Sequence, residues 1–165
     1  MRELTGKEHV GGGAREVREW TSPPRVLSES EAKLESFHDC HAHGLHWRRD
    51  QFIFSLDLQY ILKWIEPSDA SGAYRFLVSE ARLVFRGASE LKVAMDWSGS
   101  ALDSEIAAVR VLGSRTTPNG QVERCFEIEF ADPDGTISVW STGYEVILLQ
   151  EPVVSAVPSI PLSDG

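Results

Sequence analysis

From Phe52 to Trp64 every even position is apolar: Phe52, Phe54, Leu56, Leu58, Tyr60, Leu62 and Trp64. Ser55, Asp57, Gln59 and Lys63 take most of the odd positions. Only a pleated strand sends successive side chains to opposite faces, so this run specifies a long strand with one face buried. The same period recurs downstream. Tyr74, Phe76 and Val78 open a second series, whose apolar parity moves to Ala81, Leu83 and Phe85 after Ser79-Glu80, as at a bulge or a broken strand. Leu91, Val93, Met95 and Trp97 come after Gly87-Ala88-Ser89 and read as the return arm of a hairpin.

The segment DSEIAAVRVLGS fits both helix and strand spacing. It is read as a strand because it leads into the turn signal Pro118-Asn119-Gly120 and a further strand comes next. In that strand Val122, Phe126, Ile128 and Phe130 share one face, and Glu123, Cys125, Glu127 and Glu129 share the other. Asp132-Pro133-Asp134-Gly135 is the next turn, and the parity change near Thr142-Gly143 within TISVWSTGYEVILL suggests a bulge in the last strand. About seven strands joined by short turns, without strand-helix alternation, predict a mainly β protein: an antiparallel meander forming a sandwich or partly open barrel. Phe52, Phe54, Phe126 and Phe130 are expected in its core, while Trp97 and Trp140, beside loops or parity changes, are placed to line a cleft.

The flanks differ in composition. Residues 1–26 are charged, interrupted by Gly11-Gly12-Gly13 and closed by Ser22-Pro23-Pro24, and read as a flexible N-terminal tail. Residues 151–165 are proline-rich and read as a flexible C-terminal tail, leaving 27–150 as a single β-rich domain. Near its start, Ser28 with Glu31 has the spacing of a capping box, and Leu27, Leu34 and Phe37 supply a narrow stripe for one short N-terminal helix.

A formal charge of -9, from 25 acidic and 16 basic residues, disfavours nucleic acid and anionic membrane surfaces and favours a protein partner with a basic surface. Two cysteines, no apolar leader and no run approaching the ~18 apolar residues of a membrane span make the cytoplasm the expected location.

Four of the five histidines fall between His38 and His46 in the string SFHDCHAHGLHW. On a regular strand Phe37, Asp39, His41, His43, Leu45 and Trp47 share one face, with same-face neighbours about 7 Å apart. Asp39, His41 and His43 are therefore a candidate ligand set for zinc or iron, with a bound water as nucleophile. The Asp-x-His-x-His string resembles the opening of amidohydrolase and polymerase-and-histidinol-phosphatase metallohydrolases. Those barrels normally need ~250 residues and take further histidines from later strands, whereas the last histidine here is His46. A cupin-type site lacks its glutamate, since Trp47-Arg48-Arg49 stand in its place, and Cys40, Cys125, His38 and His46 lack the spacing of a zinc site. No nucleophile elbow, phosphate loop or dinucleotide fingerprint is present, and a strand does nothing to activate Cys40. No cofactor is expected.

Phe37-His38-Asp39, His43-Gly44, the run Asp57-Leu58-Gln59-Tyr60-Ile61-Leu62-Lys63-Trp64 and Ala81-Arg82-Leu83-Val84-Phe85 together resemble a group of small bacterial β-rich proteins. Their layout is similar to that of immunity-protein families of polymorphic toxin systems. The resemblance implies a cytosolic protein without catalysis that binds a protein partner, and it carries over no catalytic residue. The leading expectation is thus a non-enzymatic protein-binding module, possessing no catalytic set, that uses His38, Asp39, His41, His43 and the row Glu123, Glu127, Glu129. The rivals are a metal-dependent hydrolase built on Asp39, His41 and His43, and a small-ligand-binding β-barrel.

Overall fold

A computed structural model describes residues 24–68, 72–96, 98 and 104–158. Ten strands account for most of them: β1 Val26–Ser28, β2 His41–Arg48, β3 Ile53–Ile65, β4 Arg75–Arg86, β5 Ser89–Met95, β6 Ser104–Thr116, β7 Val122–Asp132, β8 Gly135–Ser141, β9 Gly143–Leu148 and β10 Val153–Ser155. They form one antiparallel sheet in the order β1-β9-β4-β3-β2-β6-β7-β8-β5, with β10 also on β4, and it does not close into a barrel. The sheet curls over itself. Inner-face rings meet across the fold, Phe85 of β4 at 5.3 Å from Phe126 of β7 and Phe126 at 5.6 Å from Tyr144 of β9. The interior is the alternating set read from the sequence: Phe54, Leu56, Leu58 and Tyr60 of β3 face Ala81, Leu83 and Phe85 of β4, and Phe126, Ile128 and Phe130 line β7.

Several expectations need correction. Phe52 is 62% exposed, because it sits in the left-handed region (φ 52°) and ends a 3-10 turn over Arg49–Gln51, so that the buried even series begins at Phe54. The short N-terminal helix is not present. Only half of its capping box forms: the Ser28 amide and hydroxyl donate to the Glu31 carboxylate at 3.0 and 2.9 Å, while the Glu31 and Ala32 amides donate to the Ser28 carbonyl. Leu27, however, is drawn into β1 and buried against β9, leaving Leu34 and Phe37 too sparse a stripe for a helix. A 3-10 turn over Leu34–Phe37 is what remains, anchored by the fully buried Phe37 ring.

The β5 segment is not the return arm of β4. It pairs with β8, and the chain between them changes sides at Gly87-Ala88, with Gly87 left-handed (φ 60°) and the Ala88 amide donating to the Phe52 carbonyl at 2.7 Å. Thr142 likewise marks a corner between β8 and β9, where a bulge in a single strand was expected. The two corners are tied together: the Arg86 carbonyl accepts from the Thr142 amide and from the Ser141 and Thr142 hydroxyls. β4 itself runs unbroken through Ser79-Glu80, the irregularity lying opposite it at Leu62 of β3. Val153–Ser155, read as part of a loose tail, pairs with Phe76–Val78. Residues 1–23, 159–165 and Trp97 lie outside the described residues.

Candidate functional site

β2 carries the histidines, and its pairing decides where they point. It runs antiparallel to β3 along its whole length, with an irregularity at His43 between the Ala42/Leu58 and Gly44/Asp57 pairs. One extra residue in a strand reverses the faces of every residue beyond it. Asp39 lies outside the strand, left-handed at φ 64°, with its amide donating to the Ile106 carbonyl at 3.0 Å. Asp39, His41 and His43 therefore do not share one pleated face. Asp39 pairs with its neighbour His38 (Oδ1 to Nδ1 2.8 Å), whereas His43 reaches Glu80 of β4 (Nε2 to Oε2 2.9 Å). Among the described residues no three His, Cys, Asp or Glu side chains are grouped to hold a metal ion.

The sheet's outer face brings together groups that sequence reasoning did not single out. Glu80 accepts from Gln59 as well as meeting His43. Next along, His46 Nε2 lies 2.7 Å from Asp57 Oδ2, and Arg82 grips the same carboxylate through Nε at 2.5 Å and Nη2 at 3.1 Å. Burial pushes the Asp57 carboxyl up, but the hydrogen bonds from Arg82 and then His46 outweigh it and hold the group below the ordinary aspartate range. The signal was readable: Asp57 and Gln59 are polar positions of β3 that fall directly opposite Arg82 and Glu80 once β3 and β4 are paired.

A group whose pKa is lowered on folding stabilises the fold above its unfolded pKa and loses that contribution as pH falls through the lowered value. Asp57→Asn is therefore expected to cost about 1 kcal/mol at neutral pH, less than for a fully buried charged bond because Arg82 is 41% exposed. The gap between the two proteins should narrow below the ordinary carboxylate range, as monitored by urea unfolding across pH.

The acidic row is largely offset. Glu123 is nearly buried and receives Arg115 Nε at 2.9 Å; the same guanidinium reaches Glu90 and lies 4.1 Å above the Trp140 ring. Trp140 thus packs under a cation. Glu127 and Glu129 both pair with Arg110. Cys40 and Cys125 are free thiols, and burial above all pushes Cys40 up to about 12, which removes it as a nucleophile near neutral pH.

The outer half of β2 has one unpaired edge among the described residues. β6 pairs with β2 only at His41 and Ala42, so among the described residues no strand meets the second edge from His43 to Arg48. Leu45 and Trp47 stand 41% and 37% exposed there. On the inner side of this edge lies a cavity of about 100 Å³ bordered by Ala42, Leu45, Leu56, Met95, Phe130 and Ile137. It is smaller than the roughly 300–1,000 Å³ of ordinary small-molecule sites. On the outer side runs a broader groove whose lining includes His46, Arg48, Ser55, Arg82, Arg86 and Val84. Comparison with protein-family models, curated proteins and solved structures found no match for this chain. No helix among the described residues is long and apolar enough to cross a membrane.

Proposed function

We propose that this chain is a non-enzymatic protein-binding module, with a toxin the partner that its resemblance to immunity proteins suggests. The observation that carries the reading is the edge of β2 from His43 to Arg48, which no described strand meets and which exposed Leu45 and Trp47 flank. The polar groups nearby support it, because His43, His46, Asp57, Glu80 and Arg82 are spent on one another and hold strands in register. The row Glu123, Glu127, Glu129 contributes little to partner choice, since Arg110 and Arg115 offset it.

The hydrolase reading of Asp39, His41 and His43 draws no support from this geometry, in which Asp39 and His43 face different partners. A ligand-binding barrel draws none from an open sheet.

Co-expression with the protein encoded beside it tests the proposal. A stoichiometric complex on size exclusion, together with protection of the host from that protein's toxicity, is the expected outcome. Absence of any complex, or zinc- or iron-dependent hydrolysis abolished by His41→Ala, would overturn it.

A further inference from the structure

The free half of β2 has two unlike sides, and the strand's own alternation assigns a residue to each. Leu45 stands opposite Leu56 and Trp47 opposite Phe54, so both belong with the inner face by register, and Leu45 borders the apolar cavity beside Met95, Phe130 and Ile137. His46 stands opposite Ser55 and Arg48 opposite Ile53, on the outer face with the groove that also exposes Arg82 and Arg86. Between the two sides runs a row of backbone groups that no described strand takes up.

A further strand laid on that edge inherits the same two-sided environment: alternate side chains enter the apolar cavity, and those between them lie over the groove. Arg82 and Arg86 are offset by Asp57 and Glu145, but Arg48 makes no ion pair among the described residues. An incoming negative charge finds donors there. An incoming positive charge meets the Arg48 guanidinium, which no described carboxylate offsets.

Resting on the protein-binding reading, we propose that the outer half of β2 is a strand-addition site for an extended partner segment in which apolar residues alternate with acidic ones. Backbone hydrogen bonds to the edge hold the segment, Leu45, Trp47 and the cavity select the apolar positions, and Arg48 selects the acidic ones. The chain's charge of -9 opposes long-range steering of such a segment, so the preference comes from contact and should fall only modestly with added salt.

The test titrates the full chain, isotopically labelled, with three capped hexapeptides: alternating valine and glutamate, alternating valine and lysine, and the first composition with its three valines and three glutamates in separate blocks. The expected result is that the alternating acidic peptide shifts the amide signals of Gly44–Arg48 and binds at least about tenfold more tightly than either other peptide. Arg48→Glu, an exposed and structurally mild change, should reverse the preference between the glutamate and lysine peptides. Leu45→Lys should weaken all three.

Equal binding of the three peptides, shifts confined to another part of the sheet, or no binding at millimolar peptide would overturn the proposal. If the complex with the neighbouring protein still forms in that event, only this site falls. If no complex forms either, the binding reading falls with it.

Discussion

Truncating Phe85 to alanine is expected to destabilise the protein by about 3–5 kcal/mol, the cost of removing a large aromatic side chain from a packed core. Phe85 has no solvent exposure and stands where the curled sheet meets itself: its ring lies 5.8 Å from Phe54, 5.3 Å from Phe126 and 6.0 Å from Tyr144. Those partners come from β3, β7 and β9, so the cavity left behind borders both halves of the sheet. Neither half can close it alone, because the backbone around Phe85 is fixed by pairing with Phe54 on one side and Tyr144 on the other. Chemical denaturation with the wild type as reference gives the number. A loss below about 1 kcal/mol would mean that the two inner faces do not meet at this ring.

The second large effect comes from Gly135, which opens β8 opposite Met95 of β5. A Cβ built there falls 2.5 Å from the Ala94 carbonyl oxygen and 2.8 Å from Met95 Cα, closer than side-chain carbons approach backbone atoms. Because the obstacle is main chain, relief requires β5 to move away and surrender its end of the ladder. Gly135→Ala is thus expected to cost about 2–4 kcal/mol and to loosen β5 preferentially. β5 ends the sheet and has no second neighbour among the described residues to retain it. Amide exchange in Val93–Met95 should rise well above the change seen in β3 or β4. A substitution that unfolds no part of β5 would show that the two strands are farther apart than described.

How much of the fold was legible in the sequence depends on the range of the interactions. Period-two alternation located β3, β4 and β7, because a strand with one buried face must repeat every second residue whatever it pairs with, whereas β6 was read from the turn that follows it. The turns at Pro118-Asn119-Gly120 and Asp132–Gly135 were equally local, and both join adjacent strands in the sheet. The partner of β5 was not local. Leu91, Val93 and Met95 alternate identically whether they return along β4 or cross to β8, and the crossing depends on Gly87 and on Arg86 being bound from Ser141 and Thr142.

The histidine string shows the same division. His41 and the strand were legible, but the irregularity at His43 arises from how β2 pairs with β3 and redirects the residues beyond it. Asp57 with Arg82 was available to a reader who paired the polar positions of β3 and β4. The open edge was not, since it depends on β6 meeting β2 at His41 and Ala42 alone among the described residues.

Hydrogen exchange along β2 in the free protein tests that edge most directly. In an antiparallel pair alternate residues direct their backbone groups to opposite neighbours, so an edge strand paired on one side protects every second amide. From Gly44 to Arg48 the expected pattern is one set of amides exchanging as slowly as those of β3 and the intervening set exchanging as fast as loop amides. Uniformly slow exchange across Gly44–Arg48 would mean that something already covers the edge, and the binding surface proposed for this protein would not be there.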